Sequence, residues 1–190
     1  TFGYGLGIDA PGLKLPDADV NQVRHHVALA HGLAVQAIRA RGRAGTKVGP
    51  AENLATCVPA FDSPDHVRAA EIATRELNSG FLGVILEGKY TDGFLQYAGR
   101  NAPKFTADEL KIMSSPNDFV GLNIYAPQFY IAASDKAPGW KMLPFPASFP
   151  HMSSDWLRVG PETIYWAPRL AAKVWNIENI YISENGTSSE

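Results

Sequence analysis

A carboxylate, Glu184, stands in this sequence at the point where a short apolar run ends. The run at 180–182 has the composition of a buried strand, and the turn pair Asn185-Gly186 follows the carboxylate directly. In a barrel of parallel strands, the carboxyl ends of the strands form the catalytic face, because side chains from several strands converge there. By itself, the tripeptide Glu184-Asn185-Gly186 is better explained as a polar turn. A catalytic role for Glu184 therefore depends on which other side chains lie near it.

Two amides and a phenol also lie at or just beyond predicted strand ends. Asn53 follows a short strand predicted at 46–49, and Asn123 and Tyr125 stand at the far end of the next predicted strand. A phenol that donates a hydrogen bond to a carboxylate keeps it ionised and fixes its direction, which a nucleophilic carboxylate requires. Aromatic residues in 126–160 would add flat apolar faces, so the predicted site suits a sugar ring.

The elements that position these groups include a long amphipathic helix. Asp17 or Asp19 could cap a helix that runs to about Arg41. Its predicted buried face consists of apolar residues at alternating three- and four-residue spacing: Val20, Val23, Val27, Ala30, Ala34 and Ile38. His31 lies beside this face and is expected to be a hydrogen-bonded core histidine, whereas His25 lies opposite it, and neither is assigned a catalytic role.

The rest of the chain alternates between predicted helices and strands. Start signals mark three further helices: Ser63-Pro64, the capping-box pair Thr106 and Glu109, and Gly160-Pro161. Two further strands are predicted at 118–125 and 180–184. Residues 126–160 contain no periodic element, and an irregular segment of that length usually has a function.

This alternation predicts an α/β fold with parallel strands. The sequence indicates only three strands, whereas a (β/α)8 barrel needs eight and typically about 250 residues. If the chain belongs to such a barrel, residues 1–190 are therefore expected to be an incomplete segment of one catalytic domain.

Composition restricts the class of protein. The 190 residues are 45% hydrophobic and 19% charged, which is typical of a globular chain. A net charge of −2 without a long Lys/Arg run argues against a nucleic-acid partner, and no apolar run approaches the roughly 20 residues that span a bilayer. The single cysteine, Cys57, and the lack of a signal segment favour a cytoplasmic location.

Several segments resemble glycoside hydrolase family 1, the β-glucosidase family. The run 180–186 resembles its nucleophile motif, an apolar strand followed by Thr or Ser and then Glu-Asn-Gly, and 118–125 looks like its preceding strand. Other segments match the family in the expected order: 6–12, 30–37, 47–49 and 156–162. The resemblance covers essentially the whole chain and implies a partial (β/α)8 TIM barrel, roughly strands 5 to 7 with their helices and loops.

The resemblance also implies a role for each candidate residue. Glu184 matches the nucleophile and Tyr125 the tyrosine that hydrogen-bonds it, while Asn123 matches an amide lining the site. Asn53 matches a polar group near the leaving-group side, and Trp156 matches the aromatic wall of that side. The implied reaction is retaining hydrolysis of β-glucosides, which uses two carboxylates about 5–5.5 Å apart and a covalent glycosyl-enzyme.

The second carboxylate of that pair is not evident in the sequence. The family carries its acid/base glutamate in an Asn-Glu-Pro motif, and no such tripeptide occurs in these residues. Glu52 and Glu87 could be considered as substitutes, but each is better explained as a loop carboxylate. The isolated chain is therefore expected to be inactive. Thr187 also departs from the family pattern, which more often has an apolar residue or Cys there.

The expected partners follow from the same resemblance. They are a small-molecule β-glucoside or oligosaccharide, with the missing barrel segments or a second copy of the chain as further candidates. No cofactor or metal is expected. The alternative interpretation is a non-catalytic carbohydrate-binding or regulatory barrel protein, although a binding site gains little from an oriented nucleophile.

Overall fold

A computed structural model describes residues 2–154 and 156–188 as an α/β fold. The α-helices of these residues are α1 (Asp17–Arg41), α2 (Pro64–Leu77), α3 (Val84–Glu87), α4 (Asp92–Ala98), α5 (Ala107–Met113) and α6 (Thr163–Trp175). The strands are β1 (Ala51–Asn53), β2 (Cys57–Pro59), β3 (Val120–Asn123), β4 (Phe129–Ala133), β5 (Trp140–Leu143) and β6 (Ile180–Glu184). None of the described helices is both long and apolar enough to cross a membrane.

The strands form two small sheets. The first has the order β1-β3-β6, and both of its pairings are parallel, as the alternation of elements predicts. The second has the order β2-β4-β5, in which β2 runs parallel to β4 and β4 antiparallel to β5. A three-stranded parallel sheet with helices between its strands is consistent with part of a barrel.

Two strand predictions are wrong. The first strand begins at Ala51 rather than at 46–49, because its pairing with β3 starts where the Gly121 amide donates to the Pro50 carbonyl at 2.8 Å. The segment 126–160 is not irregular throughout, since it contains the antiparallel pair β4 and β5. Both strands are short, and buried and exposed residues do not alternate regularly along them. Neither strand therefore shows the two-residue hydrophobic period that would identify it in the sequence.

The residues divide into two compact units. The first comprises the described residues of Thr1–Val48 and Ser79–Pro116, and the second those of Gly49–Asn78 and Asn117–Glu190. In the second unit, α2 and α6 pack on the β2-β4-β5 sheet. The core of this packing consists of small and aliphatic side chains: Cys57, Ala69, Ala70, Ala73, Ile131 and Leu170.

In the first unit, α1 packs against α5 through small residues. A Cβ atom on Gly32 would lie 2.1 Å from the Ile112 carbonyl oxygen, so only glycine permits this approach. The buried residues of α1 are Val20, His25, Ala28, Gly32 and Val35. Of the predicted face only Val20 is buried, so the prediction was largely wrong; Val27 and Ile38 are 51% and 38% exposed.

The histidine assignment was wrong for the same reason. His25 is fully buried, and its Nδ1 lies 2.9 Å from the Tyr90 hydroxyl, while His31 is only half-buried. The His25 Nε2 atom lies 3.7 Å from the Glu109 carboxylate. Burial lowers the pKa of His25, and the nearby Glu109 charge partly opposes that shift.

Helix-start signals were partly confirmed. Thr106 and Glu109 form the predicted capping box, in which the Glu109 amide donates to the Thr106 hydroxyl at 3.2 Å and the Thr106 amide to the Glu109 carboxylate at 2.7 Å. The proline Pro64 occupies the first turn of α2, as predicted. The predicted capping of α1 by Asp17 or Asp19 is wrong, because Pro16 precedes the helix and no side chain caps it.

Candidate active site

The parallel sheet brings three predicted site residues into one row. Asn53 of β1 pairs with Asn123 of β3, and Asn123 pairs with Glu184 of β6. Because the strands are parallel, their carboxyl ends meet at the same edge of the sheet. Two amides and one carboxylate therefore lie side by side within the second unit, and Asn53 and Glu184 are exposed.

Tyr125 is joined directly to Glu184. The Tyr125 hydroxyl donates a hydrogen bond to Glu184 Oε2 at 2.6 Å, which is within the short range of a hydrogen bond to an ionised acceptor. This hydrogen bond raises the pKa of Tyr125, with smaller contributions from burial and from the Glu184 charge. The phenol thus stays protonated and acts as a donor that fixes one carboxylate oxygen.

An irregularity in β6 sets the direction of Glu184. The register runs from the pair Leu122 and Ile182 to the pair Asn123 and Glu184, so one extra residue lies on β6. That residue is Ser183, whose hydroxyl donates to Asn123 Oδ1 at 2.7 Å. Because of the bulge, Ser183 and Glu184 both lie next to Asn123 at the same edge of the sheet.

The turn after Glu184 is held by the neighbouring strand. The Asn185 side chain donates from Nδ2 to the Ile124 carbonyl at 2.7 Å, and the Ile124 amide donates to the Glu184 carbonyl at 2.9 Å. Sequence reasoning treated Ser183 and Asn185 only as members of a motif. The motif could have identified both residues as part of the site. It could not have identified their hydrogen-bond partners, which lie about 60 residues earlier in the chain.

Trp156 lies beside Tyr125. The two ring centroids are 6.5 Å apart with an interplanar angle of 69°, an edge-to-face arrangement. Trp156 is 69% exposed, so much of its indole is accessible to a ligand. The structure thus brings together all five predicted residues of the second unit: Asn53, Asn123, Tyr125, Trp156 and Glu184.

Of the two candidate substitute acids, Glu52 lies on β1 but does not face this row of residues. Glu52 pairs with the fully buried Leu122, and successive side chains of a strand point to opposite faces, so Glu52 points away from the face that carries Asn53. Its burial raises its pKa to about 7, because desolvation penalises the charged form. Glu87 closes α3 in the first unit.

The side chains at this edge can make several kinds of contact with a ligand. Among the described residues, no group of three His, Cys, Asp or Glu side chains is arranged to hold a metal ion. An ionised carboxylate with a fixed direction can act as a nucleophile, neighbouring amides can hydrogen-bond hydroxyl groups, and an open indole can stack on an apolar ring.

Comparison with known proteins gives consistent results for the whole chain. The family model described as Glycosyl hydrolase family 1 matches residues 1–190. Beta-glucosidase A of Acetivibrio thermocellus is 30% identical over 193 residues, covering 98% of this chain and 42% of that protein. Beta-glucosidase of Agrobacterium sp. is 31% identical over 186 residues, covering 95% of this chain and 39% of that protein.

Solved structures agree with these relatives. Virulence factor SghA from Agrobacterium tumefaciens superposes with a TM-score of 0.77 at 27% identity, covering 100% of this chain and 42% of that one. The family 1 β-glucosidase from Thermotoga maritima gives a TM-score of 0.75 at 25% identity, with the same coverage. Related structures hold SghA with its substrate analog salicin and the T. maritima enzyme with glucoimidazole.

The chain spans about two fifths of the length of the relatives it matches. The family match runs from residue 1 to residue 190 and so includes the row of strand-end residues described above. The profile match over every residue, together with relatives at 30% and 31% identity, shows that this chain belongs to glycosyl hydrolase family 1.

Proposed function

We propose that this chain is the nucleophile-bearing segment of a retaining β-glucosidase. The observation that carries the proposal is the 2.6 Å hydrogen bond from the Tyr125 hydroxyl to Glu184, which orients a carboxylate at the carboxyl edge of a parallel sheet. Membership of the family and its β-glucosidase relatives support the choice of reaction.

In the proposed reaction, Glu184 attacks the anomeric carbon of a β-glucoside. A bond forms between a Glu184 oxygen and that carbon, and the bond to the aglycone oxygen breaks with its electron pair going to that oxygen. A second carboxyl group protonates the departing oxygen and then takes a proton from the water that hydrolyses the glycosyl-enzyme. The family's Asn-Glu-Pro motif is absent from these residues, so that group would come from another segment.

The neighbouring residues have complementary roles. Asn123 accepts the Ser183 hydroxyl at Oδ1, which leaves its Nδ2 group to donate to a sugar hydroxyl. Asn53, next in the row, would offer an amide on the leaving-group side. The exposed indole of Trp156 would stack on the aglycone, and the complex of SghA with its substrate analog salicin supports a small glycoside as the ligand.

The proposal extends to the fold. β1, β3 and β6 would be strands 5, 6 and 7 of a (β/α)8 barrel, and residues 1–190 an incomplete segment of its single catalytic domain. Both β1 and β6 are edges of the sheet within the described residues, whereas a closed barrel has no edge strands. The isolated segment would be inactive, because it lacks the group that protonates the leaving oxygen.

A covalent trap tests the role of Glu184. The full-length protein is incubated with 2,4-dinitrophenyl 2-deoxy-2-fluoro-β-glucoside, which slows hydrolysis of the glycosyl-enzyme, and is then digested and analysed by mass spectrometry. The expected result is one fluoroglucosyl adduct on the peptide containing Glu184. Glu184→Gln should form no adduct, and the exposed Glu178→Gln should react normally.

Two outcomes would contradict the proposal. Reversible sugar binding without an adduct would support the non-catalytic carbohydrate-binding alternative. Appreciable glucoside hydrolysis by a purified chain whose intact mass corresponds to these 190 residues alone would contradict the proposed need for a second segment.

A further inference from the structure

Trp156 is carried by a narrow loop, here called the wall loop, which consists of the described residues in 150–159. Backbone hydrogen bonds close its stem: the Val159 amide donates to the Pro150 carbonyl at 2.9 Å, and the Met152 amide to the Leu157 carbonyl at 2.8 Å. The indole therefore stands at the end of a paired stem, and its position depends on what holds that stem.

One side of the wall loop is anchored in the second unit. Leu157 is 5% exposed, so its side chain is almost completely buried. The guanidinium of Arg158 lies 4.0 Å from the centroid of the Phe145 ring, a cation–π contact. These contacts fix the strand of the loop that follows Trp156.

The other side of the loop contacts the segment that follows the proposed nucleophile. The Ser154 amide donates to the Ser188 hydroxyl oxygen at 2.9 Å, and the Thr187 hydroxyl lies 3.2 Å from the Met152 sulfur. Ser188 is four residues beyond Glu184, and Ser154 is two residues before Trp156. The aromatic residue and the carboxylate are thus linked a second time, in addition to the contacts through Tyr125.

These contacts form a closed ring. From Glu184 the ring passes through the Tyr125 hydroxyl, the edge of the Trp156 indole and the wall loop, and returns through the Ser188 hydroxyl. In such a ring the distance from the indole to the carboxylate is fixed from two sides. Loss of the Ser188 contact would leave the indole held from the side of Glu184 only by the Thr187 contact with Met152 and by an aromatic contact of about 0.5–1.5 kcal/mol.

We propose that Ser188 is a positioning residue for aglycone selection. Its hydroxyl, assisted by Thr187, holds the wall loop so that the Trp156 face stands at a fixed distance from Glu184 and accepts leaving groups with a flat apolar ring. The inference rests on the proposed function, because it assigns the open Trp156 face to the aglycone.

The proposed role of Ser188 predicts an effect that depends on the leaving group of the substrate. An aryl leaving group contacts the indole during attack by Glu184, whereas fluoride is too small to contact it, and both leave the same glycosyl-enzyme. Hydrolysis of that intermediate does not involve the aglycone. A displaced indole should therefore impair binding of aryl glucosides and leave glucosyl fluoride almost unaffected.

Kinetics of the full-length protein test this effect with three variants. Ser188→Ala removes the acceptor, Ser188→Thr keeps it, and the exposed Ser153→Ala is a control in the same loop. For 4-nitrophenyl β-glucoside, Ser188→Ala should raise KM about 3- to 10-fold, the effect of losing one hydrogen bond. KM for β-glucosyl fluoride and kcat for both substrates should stay within about two-fold, and Ser188→Thr should restore KM.

Equal behaviour of Ser188→Ala and Ser153→Ala on the aryl substrate would overturn the inference. An equal loss on both substrates would also overturn it, because general damage to the fold does not distinguish between leaving groups.

A second measurement does not depend on activity. The protein is labelled with 5-fluorotryptophan, and the Trp156 resonance is assigned in the ¹⁹F NMR spectrum by its loss in Trp156→Phe. In Ser188→Ala this resonance should shift, since the indole moves relative to the Tyr125 ring, and the resonances of Trp140, Trp166 and Trp175 should not. An unshifted Trp156 signal would overturn the inference. If the signal shifts in Ser188→Ala but the wild-type protein has no glucosidase activity, the result would contradict the proposed function alone.

Discussion

Tyr125 and Glu184 are 59 positions apart in the chain, and their side chains meet because β3 and β6 are adjacent strands. At the scale of single residues, this contact is the part of the site with the most direct chemical consequence. A carboxylate that attacks a carbon atom must present one oxygen along a defined line, and a donor on its other oxygen restricts its rotation.

Replacement of Tyr125 by Phe should lower kcat/KM of the full-length protein about 10- to 100-fold, which corresponds to one hydrogen bond to a charged group. The aromatic ring remains, so the contact with Trp156 should persist. Tyr97→Phe is the matched control, because Tyr97 is 94% exposed. A Tyr125→Phe enzyme with normal kcat/KM for an aryl glucoside would remove the proposed role of the phenol.

Glu52 should make stability depend on pH. Its pKa is about 7 in the folded chain and 4.5 as an ordinary value, so the unfolded chain loses this proton more easily. The fold should therefore lose stability as the pH rises from 4.5 to 7, by at most about 3 kcal/mol at 1.36 kcal/mol per pKa unit. Below pH 4.5 the carboxyl is neutral in both states, and the effect disappears.

Glu52→Gln should raise the free energy of unfolding at pH 8 and have little effect at pH 4, as measured by urea titration. Glu178→Gln should change neither value by much, because Glu178 is exposed. The same shift at both pH values would mean that packing, rather than ionisation, decides the effect at position 52.

At the scale of elements, the sequence was informative where structure is locally determined. The capping box at Thr106 and Glu109 involves residues three apart, so its pattern is visible in the sequence. The same holds for Pro64 in the first turn of α2. β3 and β6 were recognisable because each is an apolar run that ends in a polar group.

Other elements depend on packing partners that a single sequence does not reveal. The buried face of α1 follows Gly32 and His25 rather than the predicted apolar stripe, because α5 approaches closely at the glycine and Tyr90 pairs with the histidine. The bulge at Ser183 is likewise set by pairing with β3. The motif predicted which residues form the site, and only the fold gives their register and distances.

Gly32→Ala tests the close packing of α1 on α5. Alanine is the better helix former by about 1 kcal/mol, so propensity alone predicts a more stable protein. The added Cβ would meet the Ile112 carbonyl oxygen at 2.1 Å, and relieving this clash should produce a net loss of about 1–3 kcal/mol.

Thermal and urea unfolding would measure both effects. Ala34→Gly, at an exposed position of α1, should cost only about 1 kcal/mol, the propensity term. Stabilisation by Gly32→Ala would show that the two helices can separate without cost at this point.

At the scale of the whole molecule, the two compact units should respond to pH in opposite directions. In the first unit, burial keeps the pKa of His25 below 6.5, so stability falls as the pH drops below that value, despite the opposing charge of Glu109. His26 acts in the same direction as burial. In the second unit, Glu52 lowers stability as the pH rises from 4.5 to about 7.

Hydrogen exchange measured by mass spectrometry at pH 5 and pH 7.5, corrected for intrinsic rates, would compare the units. Peptides from α1 and α5 should gain protection at the higher pH, and peptides from β1 and β3 should lose it. Glu52→Gln should abolish the second trend and leave the first. Parallel changes in both units would contradict independent local responses.

Because of the bulge in β6, the site should be more sensitive to a change in the number of residues in this strand than to a change of the side chain at position 183. The direction of Glu184 depends on how many residues separate it from Ile182, and one residue, Ser183, occupies that interval. Substitution at 183 keeps this number, so it should cost only the hydrogen bond to Asn123. Deletion of 183 removes the inserted residue, so the carboxylate would be aimed differently even though every chemical group of the row remained. In evolutionary terms, this strand should accept point mutations at 183 and exclude insertions and deletions between 182 and 184.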